Sequence, residues 1–239
     1  MILQFLYDML TIIFNVTVHH DTLQITEVVR SKFPMEFVMN LFMSKDFYHL
    51  QKCIKIIGNF LAVNQESADY LIKKGLVQTI KEVLPMIPLE LKRNTYWVVS
   101  NIAANSEKDA EMLIDSSLFV HLILSCTSHS PEERKEAFWA ISNIINKIHN
   151  ETHLQTIINF GLMQAIQPIL DRDNENGVLM LLVLTTLKNL LERVPGFRQF
   201  IDHFNVHTYI EELQSSVYFE VYKLAAEILE RFFGGVEMN

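Results

Sequence analysis

Apolar residues recur every three or four positions along most of the chain, in segments that short polar or proline-containing stretches separate. This spacing is typical of helices that bury one face. One group of three predicted helices covers residues 106–116, 118–125 and 132–147. The third helix of the group is the longest, and it begins after Pro131, where a missing N–H group costs least.

The same pattern continues on both sides of this group. Equivalent groups begin near Gln65, His149 and Pro195, and a last long helix is predicted over 218–233, before the glycine pair at 234–235. With only 7 Gly and 6 Pro in 239 residues, the composition also favours long helices joined by short turns.

Near-identical segments repeat along the chain. YWVVSN ends at Asn101 and FWAISN ends at Asn143, and these two asparagines lie 42 residues apart. The same interval before Asn101 reaches Asn59, and 46 residues after Asn143 lies Asn189. Asn15, 44 residues before Asn59, matches the pattern less well.

A repeat of this length is typical of helical armadillo or HEAT units, which must stack on their neighbours to bury their apolar faces. Three helices per repeat favour armadillo over HEAT. A β-propeller needs four strands and glycine-rich turns in each unit, which the chain's 7 glycines exclude. We therefore predict an all-α fold, namely an armadillo-repeat, right-handed superhelical solenoid.

A single solenoid of about five units is predicted over residues 1–239. The third helices are expected to line its concave side. The units are a partial first repeat near 1–20, four units centred on Asn59, Asn101, Asn143 and Asn189, and a C-terminal capping repeat over about 195–235.

The charge of the chain and its cysteine content limit which kinds of partner and which cellular compartment are expected. The net charge is −8 and the 20 Lys and Arg residues are scattered, so a nucleic-acid partner is not expected. Residues 151–239 alone have a net charge of −6.

Cys53 and Cys126 lie within apolar helical patterns, which predicts buried, reduced thiols. The N-terminal apolar segment contains Asp8 and lacks a basic start, so a helix is predicted rather than a signal peptide, and no membrane span is expected.

No arrangement of residues predicts catalysis. His149 and His153 lie four residues apart, as do His203 and His207, but neither pair has a third metal ligand. The chain has no glycine-rich phosphate loop, nucleophile elbow or closely paired carboxylate motif. We therefore expect no enzyme activity, no metal and no cofactor.

Four segments match a known pattern, namely IGN at 57–59, WVVSN at 97–101, KEAFWAISN at 135–143 and YK…ERFF at 222–233. The residues four before each repeated asparagine are, in order, Lys55, Trp97, Trp139 and Thr185. In these segments and in their order the whole chain resembles the back half of the importin alpha family, adaptors that carry proteins with basic nuclear localisation signals.

The resemblance implies a nuclear import adaptor of the cytoplasm and nucleus that binds basic nuclear localisation signal peptides of cargo proteins in its minor-groove-type site. The family's importin-beta-binding segment is not found, so contact with importin beta is not expected. The acidic C-terminal repeat, with Glu220, Glu227 and Glu230, corresponds to the family's region for the nuclear export receptor.

The chemistry of the predicted site follows from helix geometry, because residues four apart lie on one face. Asparagine amides would hold a peptide backbone, and two tryptophans on neighbouring helices would enclose a Lys or Arg stem, with a cation–π energy of about 0.5–2 kcal/mol. Glu136 would pair with a cation, and Lys55 would set the peptide register. The predicted peptide-binding residues are Lys55, Asn59, Trp97, Ser100, Asn101, Glu136, Trp139, Asn143 and Asn189.

Other interpretations of the same residues remain open. A tryptophan in an apolar helix is usually a core residue, an asparagine one turn away can cap or bridge neighbouring turns, and Glu136 can be a solvated surface charge. An armadillo scaffold that binds a different protein partner, without recognising a nuclear signal, is the alternative function. The exposure of Trp97 and Trp139 discriminates between the two.

Overall fold

The computed structural model describes residues 2–18, 33–44, 46–63 and 65–234. Gly235 and the ends of the partial first repeat predicted near 1–20 lie outside these ranges. The chain divides into two compact units, residues 1–118 and 119–239.

Fifteen α-helices and one short 3₁₀ helix make up most of the described ranges, and no β-strand occurs within them. The first unit contains α1 (Ile2–Val18), α2 (Phe33–Met43), α3 (Phe47–Leu61), α4 (Gln65–Lys73), α5 (Leu76–Val83), α6 (Leu89–Asn105) and α7 (Glu107–Asp115). From the boundary onward follow α8 (Leu118–Ser125), α9 (Pro131–Lys147), α10 (Glu151–Asn159), α11 (Leu162–Arg172), α12 (Gly177–Arg193), α13 (Phe197–His203), α14 (Val206–Glu212) and α15 (Phe219–Phe233), with the 3₁₀ helix at Leu213–Ser215. The helices predicted over 106–116, 118–125, 132–147 and 218–233 are confirmed to within one residue at each end.

Local sequence signals determine where these helices begin. The Ser130 hydroxyl accepts a hydrogen bond from the Glu133 amide at 3.3 Å, and Pro131 is the first helical residue of α9. Asn150 and Asn176 cap α10 and α12 with their side-chain oxygens in the same way. These caps satisfy amide groups that have no partner within the helix.

In the first unit, the long helices α1, α3 and α6 pack side by side in that order, and we call them the first row. Each contributes fully buried apolar side chains, among them Leu10, Ile57 and Val99. The shorter helix α2 packs against α3 and α5. Asn59 and Asn101 lie on the long helices α3 and α6, as predicted.

In the second unit, α9, α12 and α15 pack in the same manner and form the second row. Ile141, Leu184 and Ala225 are fully buried in these three helices. Asn143 lies on α9 and Asn189 on α12, so these repeated asparagines also lie on the long helices.

A buried ion pair joins α9 of the second row to the end of the shorter helix α11. The Nε and Nη2 atoms of Arg134, on α9, donate to the two carboxylate oxygens of Asp173 at 2.6 Å each, and Nη1 donates to the Ser128 carbonyl at 2.7 Å. Both side chains are almost fully buried, and the hydrogen bonds that Arg134 donates to the Asp173 carboxylate raise the pKa of Arg134. Asp173 directly follows α11, so the pair joins α9 to the end of α11.

Both cysteines are buried and carry free thiols, which confirms the prediction made for them. Burial raises the pKa of Cys53 to about 12 and also raises the pKa of Cys126. None of the described helices is both long and apolar enough to cross a membrane.

Candidate functional site

Trp97 is half-buried on α6, and its indole ring lies against the backbone of α3 at Gly58. A Cβ atom placed on Gly58 would lie 2.0 Å from Cζ3 of Trp97, which is far closer than any real contact between such atoms. Only glycine therefore leaves room for the ring. Because Trp97 is only half-buried, part of the indole remains available to a ligand.

Asn101, one turn after Trp97, is fixed to the same residue of α3. Its Nδ2 atom donates to the Gly58 carbonyl oxygen at 3.1 Å, and no described residue donates a hydrogen bond to its side-chain oxygen. The amide oxygen of Asn101 can thus accept a hydrogen bond from a peptide N–H group. Ser100, which was predicted to flank the site, is buried in the first row.

Lys55 and Asn59 lie one turn apart on α3, and both are half-buried. Nδ2 of Asn59 donates to the Thr17 hydroxyl of α1 at 3.1 Å. The asparagines of α3 and α6 therefore both use an amide N–H group to join their helix to the preceding one.

In the second unit, α9 presents three of the predicted site residues on successive turns. Glu136, Trp139 and Asn143 are all half-buried, whereas Ala137, Ala140 and their apolar neighbours on the same helix are buried. Neither this tryptophan nor Trp97 belongs to the buried core. The structure thus brings a carboxylate, an indole and an amide together along one helix of the second row.

Asn189, on α12, is also bonded to the preceding helix of the second row. The Nδ2 atom of Asn189 donates to the side-chain oxygen of Asn146 at 2.9 Å. The side-chain oxygen of Asn189 accepts a hydrogen bond from Nη1 of Arg193 at 2.7 Å. The same Nη1 atom donates to the Ile145 carbonyl at 2.9 Å. Asn189 therefore joins α12 to α9, and both ends of its amide are engaged.

The hydrogen bonds of the repeated asparagines to neighbouring helices were not predicted from the sequence. Asn59, Asn101 and Asn189 each donate across the row, and the buried hydroxyl of Thr186 likewise donates to Ser142 at 2.9 Å. The signal available in the sequence was the repeat itself, because a polar residue recurring at one register position faces the same neighbour each time.

The sequence also predicted a slot between the two tryptophans and an acidic outer surface on the last repeat. The slot between Trp97 and Trp139 takes one ring from each compact unit and stays a prediction from the sequence. Of the acidic residues predicted on the outer surface of the last repeat, Glu220 and Glu230 are exposed, but Glu227 forms an ion pair with Lys188 of α12 at 2.5 Å. This ion pair lowers the pKa of Glu227.

Solved structures resemble this chain over almost its whole length. One of a designed armadillo repeat protein in complex with the peptide (KR)4 superposes with a TM-score of 0.78 at 22% identity, covering 96% of this chain and 91% of that one. Computationally designed armadillo repeat proteins for modular peptide recognition give a TM-score of 0.82 at 22% identity, with coverages of 93% and 91%. The chain has the armadillo-repeat fold. The predicted all-α armadillo class is thereby confirmed.

Among curated sequences, the armadillo chain is similar to importin subunit alpha-2 of Oryza sativa subsp. japonica, at 25% identity over 126 residues. The match covers 50% of this chain and 24% of the rice protein, so it spans about a quarter of that relative. No protein-family model matches the chain.

Proposed function

We propose that this armadillo protein binds a short segment rich in Lys and Arg in an extended conformation, through the exposed surfaces of its long helices. The observation that carries the proposal is the Trp97–Asn101 pair, which is held on Gly58, with Trp97 only half-buried and the Asn101 amide oxygen accepting no hydrogen bond from a described residue. Such a pair provides the two contacts that a peptide with long cationic side chains requires. The indole face attracts a cation and its stem, and the amide oxygen accepts a backbone N–H group.

The second unit supports the same chemistry with its own residues. Trp139 and Asn143 repeat the indole and the amide on α9, and Glu136 adds a carboxylate three residues before the indole. The net charge of −8 favours the approach of a cationic segment rather than an acidic one.

The similarity to other armadillo proteins supports the identity of the ligand. The designed protein with the same fold is in complex with (KR)4, a peptide of alternating cations. The similarity to a rice importin alpha supports nuclear localisation signals of cargo proteins as the natural ligand, and the cytoplasm and nucleus as the location. The export receptor, at the exposed Glu220 and Glu230, is a further partner consistent with that similarity.

A binding titration tests the proposal. The fluorescein-labelled peptide KRKRKRKR is titrated with wild type, Trp97→Ala and Trp139→Ala, and fluorescence anisotropy is measured. We expect each substitution to weaken binding by about 1–3 kcal/mol, the scale of an aromatic hot spot, which corresponds to roughly 5- to 150-fold in Kd. Melting temperatures establish that each variant is folded.

The matched control is Phe160→Ala, which removes an exposed aromatic ring at the end of α10, outside the long-helix rows. Binding by this variant should equal that of wild type. If Trp97→Ala and Trp139→Ala bind the peptide as wild type does, the rows are not the site and the proposal is wrong.

A second candidate function is a scaffold for a folded partner. The hydrogen bonds of Asn59, Asn101 and Asn189 to preceding helices favour it, because they assign the asparagines to repeat stacking. A scaffold of this kind would bind KRKRKRKR no better than a neutral peptide of equal length. The same titration, extended to that neutral peptide, therefore separates the two functions.

A further inference from the structure

Two register positions distinguish α12 from the long helices α6 and α9. Eleven and eight residues before the repeated asparagine, α12 has Val178 and Leu181. The equivalent residues are Glu90 and Arg93 in α6 and Glu132 and Lys135 in α9. Val178 is 58% exposed and Leu181 is half-buried. Because α6 and α9 have charged residues at these positions, the repeats can stack without apolar residues there.

The beginning of α15 adds further exposed apolar side chains beside Val178 and Leu181. Tyr218 is 47% exposed and Phe219 is 68% exposed. We call this surface the C-terminal apolar patch, and it consists of Val178, Leu181, Tyr218, Phe219 and Tyr222, the last of which contacts the Phe219 ring. Exposed patches of this kind on soluble proteins mark interaction sites.

A groove runs between the two helices within this patch. It has a volume of about 730 Å³, and its apolar walls include Val178, Leu181 and Phe219. The ring of Tyr218 forms one end, and it lies so close to Gly177 that a Cβ atom on that glycine would be 2.5 Å from Cγ of the tyrosine. Gly177 therefore leaves the space that the Tyr218 ring occupies.

The charged rim of the groove is acidic. Glu175 and Glu220 are exposed and line it, and their side chains form no ion pair or hydrogen bond with the residues that the structure describes. Arg172 also lines the groove, but its Nη1 atom donates to the carbonyls of Thr127 and Ser128 at 3.2 and 3.4 Å. Asp173 is already neutralised by Arg134.

We propose that the C-terminal apolar patch binds a short protein segment in which an aliphatic or aromatic anchor is flanked by Lys or Arg. The anchor enters the groove between α12 and α15, and the flanking cations pair with Glu175 and Glu220. The apolar walls contribute affinity through burial, and the acidic rim rejects acidic segments. None of these residues belongs to the predicted basic-peptide site, so the patch does not depend on binding of a basic peptide there.

The test uses three fluorescein-labelled probe peptides, KKLFLKK, KKSGSKK and EELFLEE, and anisotropy titrations with the full chain. We expect KKLFLKK to bind at least tenfold more tightly than either of the other two. The double substitution Val178→Glu with Leu181→Lys copies the charges of α9 at the same register positions. It should weaken KKLFLKK at least tenfold without changing the melting temperature.

Three controls make the assignment specific. Leu124→Ala, at a leucine of α8 that is 59% exposed, should leave binding unchanged. Glu175→Gln with Glu220→Gln should weaken KKLFLKK about three- to tenfold at low salt and reduce its salt dependence. Trp139→Ala should leave the difference in affinity between KKLFLKK and KKSGSKK unchanged, because both probes have the same lysines, and this separates the patch from the basic-peptide site.

Each contrary result overturns the proposal in a recognisable way. Equal binding of KKLFLKK and KKSGSKK would mean that no apolar anchor is recognised. If Trp139→Ala removed the difference in affinity between KKLFLKK and KKSGSKK, the apolar anchor would bind at the other site. A wild-type dimer in sedimentation velocity that becomes a monomer on Val178→Glu with Leu181→Lys would show that a second copy of the chain covers the patch.

Discussion

Gly58 leaves the space that the Trp97 ring fills, and the same residue accepts the hydrogen bond from Asn101. The position of one glycine in α3 thus sets the orientation of two side chains on α6. A glycine in the middle of a helix normally costs about 0.5–1 kcal/mol relative to alanine. Its presence is explained by the indole packed against it.

This contact predicts a reversal of the usual effect of glycine replacement. Gly58→Ala should lower the free energy of unfolding by about 1–3 kcal/mol, because the added methyl group overpacks the contact with Trp97. Urea denaturation measures the change. In a Trp97→Ala background the same replacement should be neutral or stabilising, and a destabilisation of equal size there would contradict the packing explanation.

The buried thiol of Cys53 predicts a loss of stability at alkaline pH. The pKa of this thiol is about 12 in the folded chain against 9.0 as its ordinary value, so below pH 9 both states hold the proton and stability is unaffected. Between pH 9 and 12 only the unfolded state ionises, and the free energy of unfolding should fall by about 1.4 kcal/mol per pH unit. Urea denaturation of wild type and Cys53→Ala at pH 8 and pH 10, with reductant, isolates this contribution. The two proteins having the same pH dependence would contradict it.

The residue types of the site could be predicted from the sequence, but not all of their hydrogen-bond partners. The repeated spacing of Trp and Asn predicted that they share a helix face, because helical geometry fixes that relation locally. It did not predict that Nδ2 of Asn101 bonds to Gly58, which lies 43 residues away, because a partner of that kind depends on how neighbouring repeats stack.

The long helices are the elements that present the candidate sites, and their limits are encoded locally. Ser130, Pro131 and Asn176 mark the beginnings of α9 and α12, so the bounds of these helices could be predicted from sequence. Alignment of the repeats identifies Val178 and Leu181 as apolar where α6 and α9 have charged residues. Their exposure, however, depends on where α15 begins relative to α12. Tertiary packing of that kind is not encoded by any single segment.

The ion pair between α9 and the end of α11 predicts a large stability effect for the second unit. Asp173→Ala leaves the buried guanidinium of Arg134 without its carboxylate, so it should lower the free energy of unfolding by about 3–5 kcal/mol. The control is Glu192→Gln, which removes the more exposed pair between α12 and α15 and should cost much less. Thermal and urea denaturation check both variants. A comparable loss in the two would mean that burial of the Arg134 pair is not decisive.

The whole chain comprises two compact units, and each presents an indole and an amide on a long helix. The period of the repeat predicted the armadillo class because every repeat must bury the same face against its neighbour. The period does not determine how many compact units the chain forms, because that depends on the density of contacts at each junction. The single solenoid of about five units stays a prediction.

We propose that each unit binds a basic peptide at its indole, and the chain's only two tryptophans report on this binding directly. Trp97→Phe and Trp139→Phe give two proteins with a single tryptophan each, and their emission is recorded during titration with unlabelled KRKRKRKR. We predict that both emission spectra change in intensity or wavelength, each saturating with the Kd that the same protein gives in a calorimetric titration. Calorimetric binding of the peptide with unchanged emission from both proteins would contradict the claim.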